Sequence, residues 1–114
     1  MEDCIFCKII NREIPSTIVY ETENILAFRD INPVAPVHVL IIPKIHIPSI
    51  EAINSENAKV LIDIHMAAKE VAKKEGISES GYRLINNCGK NAGQTVKHLH
   101  YHLIGGTNLG EKLI

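Results

Sequence analysis

Apolar residues along this chain fall in short blocks whose spacing predicts strands. Five blocks rich in Val, Ile, Leu and Tyr are bounded by Pro, Gly or Asn, which favours strands over helices. They cover residues 17–20, 25–30, 37–42, 81–86 and 95 or 96 to 104. Only Glu-Thr-Glu-Asn separates the first two blocks, which indicates a hairpin and therefore antiparallel pairing.

One longer stretch has the spacing of a helix with a single apolar stripe. The stripe consists of Val60, Leu61, Ile64, Ala67, Ala68, Val71 and Ala72. We expect Asn54 or Ser55 to cap this helix, which runs to about Lys74 and stops before Gly76. A short N-terminal helix is predicted for residues 4–11. The predicted class is α+β, a five-stranded, mainly antiparallel sheet with one long helix and one short N-terminal helix.

Composition and charge narrow the class of protein. The 114 residues suffice for one domain of ordinary size, and we expect a single domain over residues 1–114. Lys and Arg number 12 against 13 Asp and Glu, and the net charge of −1 argues against general nucleic-acid binding. The most apolar run, 37–42, is too short to span a bilayer, and the N-terminus lacks the basic residues of a signal peptide. We therefore expect a cytoplasmic protein with neither a nucleic-acid nor a membrane partner.

Three of the six histidines, His98, His100 and His102, occupy alternate positions of the last predicted strand. Because side chains alternate between the faces of a strand, we expect all three on one face, with Leu99 and Tyr101 on the other. Three imidazoles form a poor core, since each ring nitrogen needs a partner once it is buried. Such a row is typical of metal ligation or of nucleophilic and acid–base chemistry on a phosphate.

The three cysteines do not form a disulfide framework. Cys4 and Cys7 make a C-x-x-C pair, while Cys88 stands alone. In a reducing compartment such a pair is a metal site, a redox pair or ordinary packing, and the spacing alone does not decide among these.

The segment 98–106 resembles the signature of the histidine triad superfamily, in which three histidines alternate with apolar residues. The resemblance extends over nearly the whole chain, through residues 4–15, 28–33, 36–44 and 93–96. It is strongest to the HINT branch, the histidine triad nucleotide-binding proteins, which hydrolyse purine nucleoside phosphoramidates and form homodimers. The resemblance therefore implies a HIT-like fold, a purine nucleotide substrate and a homodimer, with no organic cofactor.

The resemblance also implies roles for individual residues. His100 would be the nucleophile that forms a covalent nucleotidyl-histidine, and His102 would stabilise charge on the phosphate oxygens. His98 and His38 would orient the row, although a purely structural role for His38 fits equally well. Asp30 would accept hydrogen bonds from both ribose hydroxyls, and a carboxylate that caps a turn is the alternative.

Other positions match the phosphate and base subsites of the family. Asn87, Gln94 and Thr95 match positions that face the phosphate, and the glycines at 89 and 93 would let the loop backbone approach an anion. Six apolar residues match a slot for the base or are ordinary core: Ile5, Phe6, Ile9, Ile14, Phe28 and Ile31.

The C-x-x-C pair is absent from many HINT proteins and resembles histidine triad proteins that bind zinc. In those proteins two histidines, which match His46 and His98, complete the ligand set. The resemblance thus implies a structural zinc site formed by Cys4, Cys7, His46 and His98, a closed tetrahedral set. Two reduced cysteines packed as small hydrophobic residues are the alternative.

Two other functions are compatible with the sequence. One is hydrolysis of dinucleoside polyphosphates, because the run 93–97 resembles that branch of the superfamily equally well. Asn87 and the pair Gly105-Gly106 favour the HINT branch instead. The other is a nucleotide- or protein-binding regulator whose hydrolysis is incidental.

Overall fold

The computed structural model describes residues 3–114 and contains a five-stranded sheet. The strands are β1 (Ile18–Glu21), β2 (Ile25–Arg29), β3 (Val37–Pro43), β4 (Tyr82–Asn86) and β5 (Tyr101–Gly105). They lie in the order β1-β2-β3-β5-β4, and every neighbouring pair is antiparallel. The helices are α1 (Ile5–Ile10) and α2 (Lys59–Lys74), and none in the described range has the length and apolar content needed to cross a membrane. The predicted α+β class is confirmed.

The sheet separates two apolar clusters, because β3 is buried along its whole length and alternates its side chains between the two faces. Val39 and Ile41 belong to the cluster that contains Ile64 of α2. Leu40 and Ile42 belong to the opposite cluster, which contains the buried residues of α1. The even-numbered residues of β3 therefore share a face with α1.

The last strand is shorter than the sequence predicts: β5 begins at Tyr101 and does not include residues 95–100. The backbone of this segment bonds to partners outside a strand ladder. The Leu99 N–H donates to the Ile47 carbonyl at 2.6 Å, and the Gln94 side chain donates to another carbonyl of the segment at 3.0 Å. The prediction that all three histidines lie within one strand is therefore wrong, since only His102 does.

The long helix begins later than the sequence predicts. Its N-terminal cap residue is Ala58, which makes no side-chain cap hydrogen bond. The Asn54 side chain instead accepts from the N–H groups of Glu56 and Asn57, at 2.8 and 3.1 Å. Capping of the helix by Asn54 or Ser55 is therefore wrong, because the side chain stabilises a separate turn upstream of the helix. The other predicted boundaries agree to within one residue.

Candidate active site

Four histidines share the α1 face of the sheet, although they come from distant parts of the chain. His38 lies in β3 and His102 in β5, and their ring centroids are 5.2 Å apart. The His100 ring follows at 5.3 Å from that of His102. The ring of Phe6, in α1, contacts both His98 and His100, with centroids at 5.9 and 5.0 Å. The histidine row therefore extends beyond β5 into the segment that precedes this strand.

A backbone carbonyl determines which nitrogen of the His100 ring carries the proton. Its Nδ1 lies 2.7 Å from the carbonyl oxygen of His98, which can only accept, so Nδ1 carries the proton. Burial lowers the pKa of His100 below its ordinary value of 6.5, although this hydrogen bond and the charge of Asp30 act in the opposite direction. The ring is therefore neutral at pH 7, with an unprotonated Nε2, which is the form that acts as a nucleophile.

A second chain of hydrogen bonds orients His38 and His102. The Val34 N–H donates to His38 Nδ1 at 3.1 Å, so a neutral His38 carries its proton on Nε2. That Nε2 donates to His102 Nδ1 at 2.9 Å and lies 3.4 Å from Oδ2 of Asp30. Burial lowers the pKa of His102, as do the neighbouring rings of His100 and His38. Neutral His102 therefore holds its proton on Nε2, where it can donate to a phosphate oxygen.

Asp30 follows β2 at the start of the loop to β3. Its Oδ1 accepts from the Asn32 N–H at 2.8 Å, which is the turn-capping geometry. Its Oδ2 faces His38 at 3.4 Å. Each carboxylate oxygen has two lone pairs, so the turn cap leaves Asp30 able to accept further hydrogen bonds.

The three candidate phosphate-binding residues of the loop between β4 and β5 differ in exposure and in hydrogen bonding. The Gln94 side chain closes the loop, since its Oε1 accepts from the Gly89 N–H at 2.9 Å and its Nε2 donates to the Pro48 carbonyl at 2.8 Å. Thr95 is exposed and Asn87 is half-buried. Gly89 has a φ of 87°, a backbone conformation that favours glycine. Gln94 therefore shapes the loop, and its neighbours remain available to an anion.

The six apolar residues matched to a base slot fall into two groups. Buried together beneath the α1 face are Phe6, Ile9 and Phe28, with Ile14 packed against them. Ile5 and Ile31 are exposed, by 46% and 90%. The buried group is core in this structure, while the exposed pair is accessible to a ligand.

Beside the histidine row, four potential metal ligands converge: Cys4, Cys7, His46 and His98. Cys4 is the N-cap of α1 and Cys7 lies in its first turn. The His98 Nδ1 is 3.3 Å from Cys4 Sγ and 3.6 Å from Cys7 Sγ, and the His46 Nδ1 is 3.3 Å from Cys7 Sγ. Zinc with Zn–S bonds of about 2.3 Å and Zn–N bonds of about 2.0 Å holds tetrahedral S and N ligands about 3.5 Å apart. The four side chains fit a tetrahedral zinc ion.

The tautomer of His98 also fits a metal ion, whereas the protonated thiol of Cys7 makes metal binding depend on pH. The His98 Nε2 donates to the Pro43 carbonyl at 2.8 Å, which leaves Nδ1 without a proton and directed at the thiols. Burial and the adjacent Cys4 thiol raise the pKa of Cys7 to about 11. A cation must displace that proton, so metal affinity is expected to fall as the pH is lowered.

A second group of potential ligands, Asp30, His38 and His102, does not fit a metal ion. The Val34 N–H donates to His38 Nδ1, which obliges Nε2 to carry the proton of the neutral ring. That Nε2 is the atom that faces the other two side chains, so its lone pair is not free for a metal.

Sequence reasoning missed one side chain that contacts the row. Asn86, the last residue of β4, donates from Nδ2 to the His100 carbonyl at 3.0 Å. The sequence points to the adjacent Asn87 instead. The register between β4 and β5 pairs Asn86 with Tyr101, and this register determines which of the two neighbouring asparagines reaches the carbonyl. No local sequence pattern distinguishes the two asparagines.

Comparisons with known proteins identify the family. A family model described as scavenger mRNA decapping enzyme C-term binding matches residues 3–112. The chain is 50% identical over 112 residues to the purine nucleoside phosphoramidase of Escherichia coli (strain K12), which covers 98% of this chain and 94% of that protein. It is 49% identical over 107 residues to a 14 kDa zinc-binding protein of Zea mays, over 92% of this chain and 83% of that protein.

A solved structure agrees with these matches. A HIT family hydrolase from Clostridium thermocellum has a TM-score of 0.98 and 63% identity, over 100% of this chain and 99% of that one. The chain therefore belongs to the histidine triad superfamily, in its HINT-like branch, and it is a hydrolase.

Proposed function

We propose that this chain hydrolyses purine nucleoside 5′-phosphoramidates at the P–N bond and releases a nucleoside monophosphate and an amine. The observation that carries the proposal is the His100 ring, which is neutral, protonated on Nδ1 and unprotonated on Nε2. The name of the Escherichia coli relative supports the substrate class.

The reaction proceeds in two displacements at phosphorus. The lone pair of His100 Nε2 attacks, the P–N bond breaks, and the amine leaves with the bonding electrons and takes up a proton from solvent. Water then attacks the same phosphorus and gives up a proton to solvent, the bond to His100 breaks and returns its electrons to Nε2, and the nucleoside monophosphate is released. The Nε2–H of His102 stabilises charge on the phosphate oxygens, and His38 holds that tautomer through the 2.9 Å hydrogen bond.

The other subsites lie around the same row. Asp30 accepts hydrogen bonds from the ribose hydroxyls with the lone pairs that its turn leaves free. Thr95, Asn87 and the backbone of the adjacent glycine loop face the phosphate, and Gln94 maintains that loop. The base lies against the exposed apolar side chains, above the buried cluster that contains Phe6.

We further propose that zinc binds at the Cys4, Cys7, His46 and His98 cluster as a structural ion. Supplying no chemistry to the substrate, it would pin α1 to the end of β3 and to the segment before β5. The homologous zinc-binding protein of Zea mays supports this assignment. We also propose a homodimer, for which β4 at the edge of the sheet offers a pairing surface.

Steady-state turnover tests the proposed function. Adenosine 5′-phosphoramidate and a diadenosine polyphosphate are compared at equal concentration with the parent protein and with His100→Ala. We expect the phosphoramidate to be the better substrate and His100→Ala to be slower by on the order of 10³-fold or more. His65→Ala serves as the control, because His65 is an exposed histidine on α2.

Three outcomes would contradict the proposal in different ways. Turnover by His100→Ala within about tenfold of the parent would show that His100 is not the nucleophile. Faster turnover of the polyphosphate would indicate that the protein is a dinucleoside polyphosphate hydrolase instead. Nucleotide binding without turnover of either compound would favour a regulatory protein.

A further inference from the structure

The stretch that carries the nucleophile lies outside the strand, so individual hydrogen bonds determine its geometry. Leu99 N–H donates to the Ile47 carbonyl at 2.6 Å, and His100 Nδ1 donates to the His98 carbonyl at 2.7 Å. The third bond is the one from Asn86 Nδ2 to the carbonyl of His100 itself, at 3.0 Å. A side chain of β4 thus supports His100 just before the ladder of β5 begins.

Asn86 reaches this carbonyl from the face opposite the histidine row. It pairs with Tyr101 across the β4–β5 ladder, as Leu84 pairs with Leu103. Tyr101 and Leu103 belong to the cluster beneath α2, and Leu84 packs against it. The two-residue period of a strand places Asn86 on that same side. The substrate face is the α1 face, so the Asn86 side chain does not contact substrate.

We propose that Asn86 is a positioning residue for the nucleophile and acts through the main chain of His100; the proposal rests on the proposed function of His100. A change in the orientation of the His100 carbonyl turns the Cα–Cβ bond of the same residue and moves Nε2. That atom must stay in line with the scissile P–N bond, and a misplacement of about 1 Å costs on the order of 100-fold in rate. Because His100 is only 6% exposed, water is a poor substitute for the lost donor.

The contact requires a donor on residue 86, since a carbonyl oxygen only accepts. Asn86→Asp nearly preserves the shape of the side chain and replaces the amide donor with a carboxylate oxygen that repels the carbonyl. Asn86→Ala removes the donor without adding charge. Asn24→Asp is the matched control, because Asn24 is an exposed residue of the turn between β1 and β2 and the variant carries the same charge change.

The first measurement is kinetic. For each variant, kcat and KM for adenosine 5′-phosphoramidate and the single-turnover rate of His100 nucleotidylation are determined. We expect kcat and the nucleotidylation rate of Asn86→Asp to fall by about 10- to 100-fold, with a smaller fall for Asn86→Ala. KM should stay within about threefold of the parent, and Asn24→Asp should match the parent throughout.

The second measurement reports the His100 ring directly, without substrate. In protein labelled with ¹⁵N-histidine, the ring-nitrogen correlation spectrum of the parent should show a single Nδ1–H tautomer for His100. In Asn86→Asp and Asn86→Ala the displaced His100 ring should lose part of its Nδ1 hydrogen bond to the His98 carbonyl, so we expect a mixture of tautomers there and the parent pattern in Asn24→Asp.

If both Asn86 variants have the same kcat and the same His100 spectrum as the parent protein, the proposal is overturned. A loss confined to KM, or a lower melting temperature with unchanged kcat, would also overturn it. If the parent forms no nucleotidyl-His100, the proposed function fails, whereas the ring spectra still decide whether Asn86 positions His100.

Discussion

At the scale of single residues, a main-chain atom decides which ring nitrogen carries the proton in three of the histidines. A carbonyl fixes the proton of His98 on Nε2 and that of His100 on Nδ1, while an amide N–H fixes that of His38 on Nε2. The sequence supplies the histidines and their alternation. It does not supply the tautomers, because these depend on which main-chain atom lies about 3 Å away once the chain has folded.

Asp30 caps a turn, and the proposed ribose contacts depend on the same carboxylate. Its Oδ1 accepts from the Asn32 N–H, so the ribose hydroxyls would use the remaining lone pairs. We predict that the parent binds a nucleoside monophosphate more tightly than its 2′,3′-dideoxy form, by about 1.5–3 kcal/mol for each charge-assisted hydrogen bond lost. Asp30→Asn keeps the turn acceptor but loses the charge, and it should lose most of this preference.

Calorimetric titration of both nucleotides into the parent and Asp30→Asn checks this prediction. The melting temperature of Asp30→Asn serves as the control, since an intact turn should leave it close to that of the parent. Equal binding of the two nucleotides by the parent would leave Asp30 only its turn-capping role.

At the scale of elements, α1 is a helix of six residues that depends on contacts at both of its ends. Its N-terminus carries Cys4 and Cys7 of the proposed zinc site, and between them Phe6 packs against His98 and His100. Beyond its C-terminus, Arg12 forms two hydrogen bonds to the carboxylate of β1 residue Glu21, at 2.7 and 2.8 Å. Release of the N-terminal end is therefore expected to disturb the histidine row.

We predict that a chelator lowers the melting temperature of the purified protein, because zinc bound only to the folded state stabilises it. An ion present at a thousand times its Kd adds about 4 kcal/mol, which corresponds to roughly 10 °C or more for a domain of this size. Cys4→Ser should show the same loss without chelator. Cys88→Ser, which changes the half-buried cysteine outside the cluster, should behave like the parent.

Metal analysis and thermal melts in parallel decide this prediction. Zinc near one equivalent in the parent and Cys88→Ser, with much less in Cys4→Ser, is the expected result. Zinc near zero in protein purified without chelator, together with an unchanged melting temperature for Cys4→Ser, would leave only the packing of two reduced thiols.

The sequence predicts most elements of this fold, and its two errors have the same physical origin. Periodicity locates the strands and the α2 stripe because it reflects which face is buried. It places the starts of β5 and α2 too early, because polar side chains compete for backbone groups there: Gln94 binds the carbonyl of Val96, and Asn54 binds the N–H groups of a separate turn. Such local bonds leave no trace in the pattern of apolar residues.

At the scale of the whole molecule, the two faces of the sheet carry different kinds of residues. The α2 face is a continuous apolar core, whereas the α1 face combines a smaller core with the histidine row and the Cys/His cluster. His98 belongs to both groups, since its Nδ1 faces the thiols and its carbonyl accepts from Nδ1 of His100. The alternation of His and apolar residues predicts this division of faces, but the shared role of His98 depends on the irregular path before β5.

The proposed mechanism requires that His100 becomes covalently nucleotidylated during turnover. The most direct measurement is the intact mass of protein quenched while it turns over adenosine 5′-phosphoramidate, followed by mapping of the modified residue. We predict one adenylyl group per chain, located on His100 and absent from His100→Ala. An adenylyl group on a different residue, or full turnover by the parent with no adduct at any quench time, would contradict it.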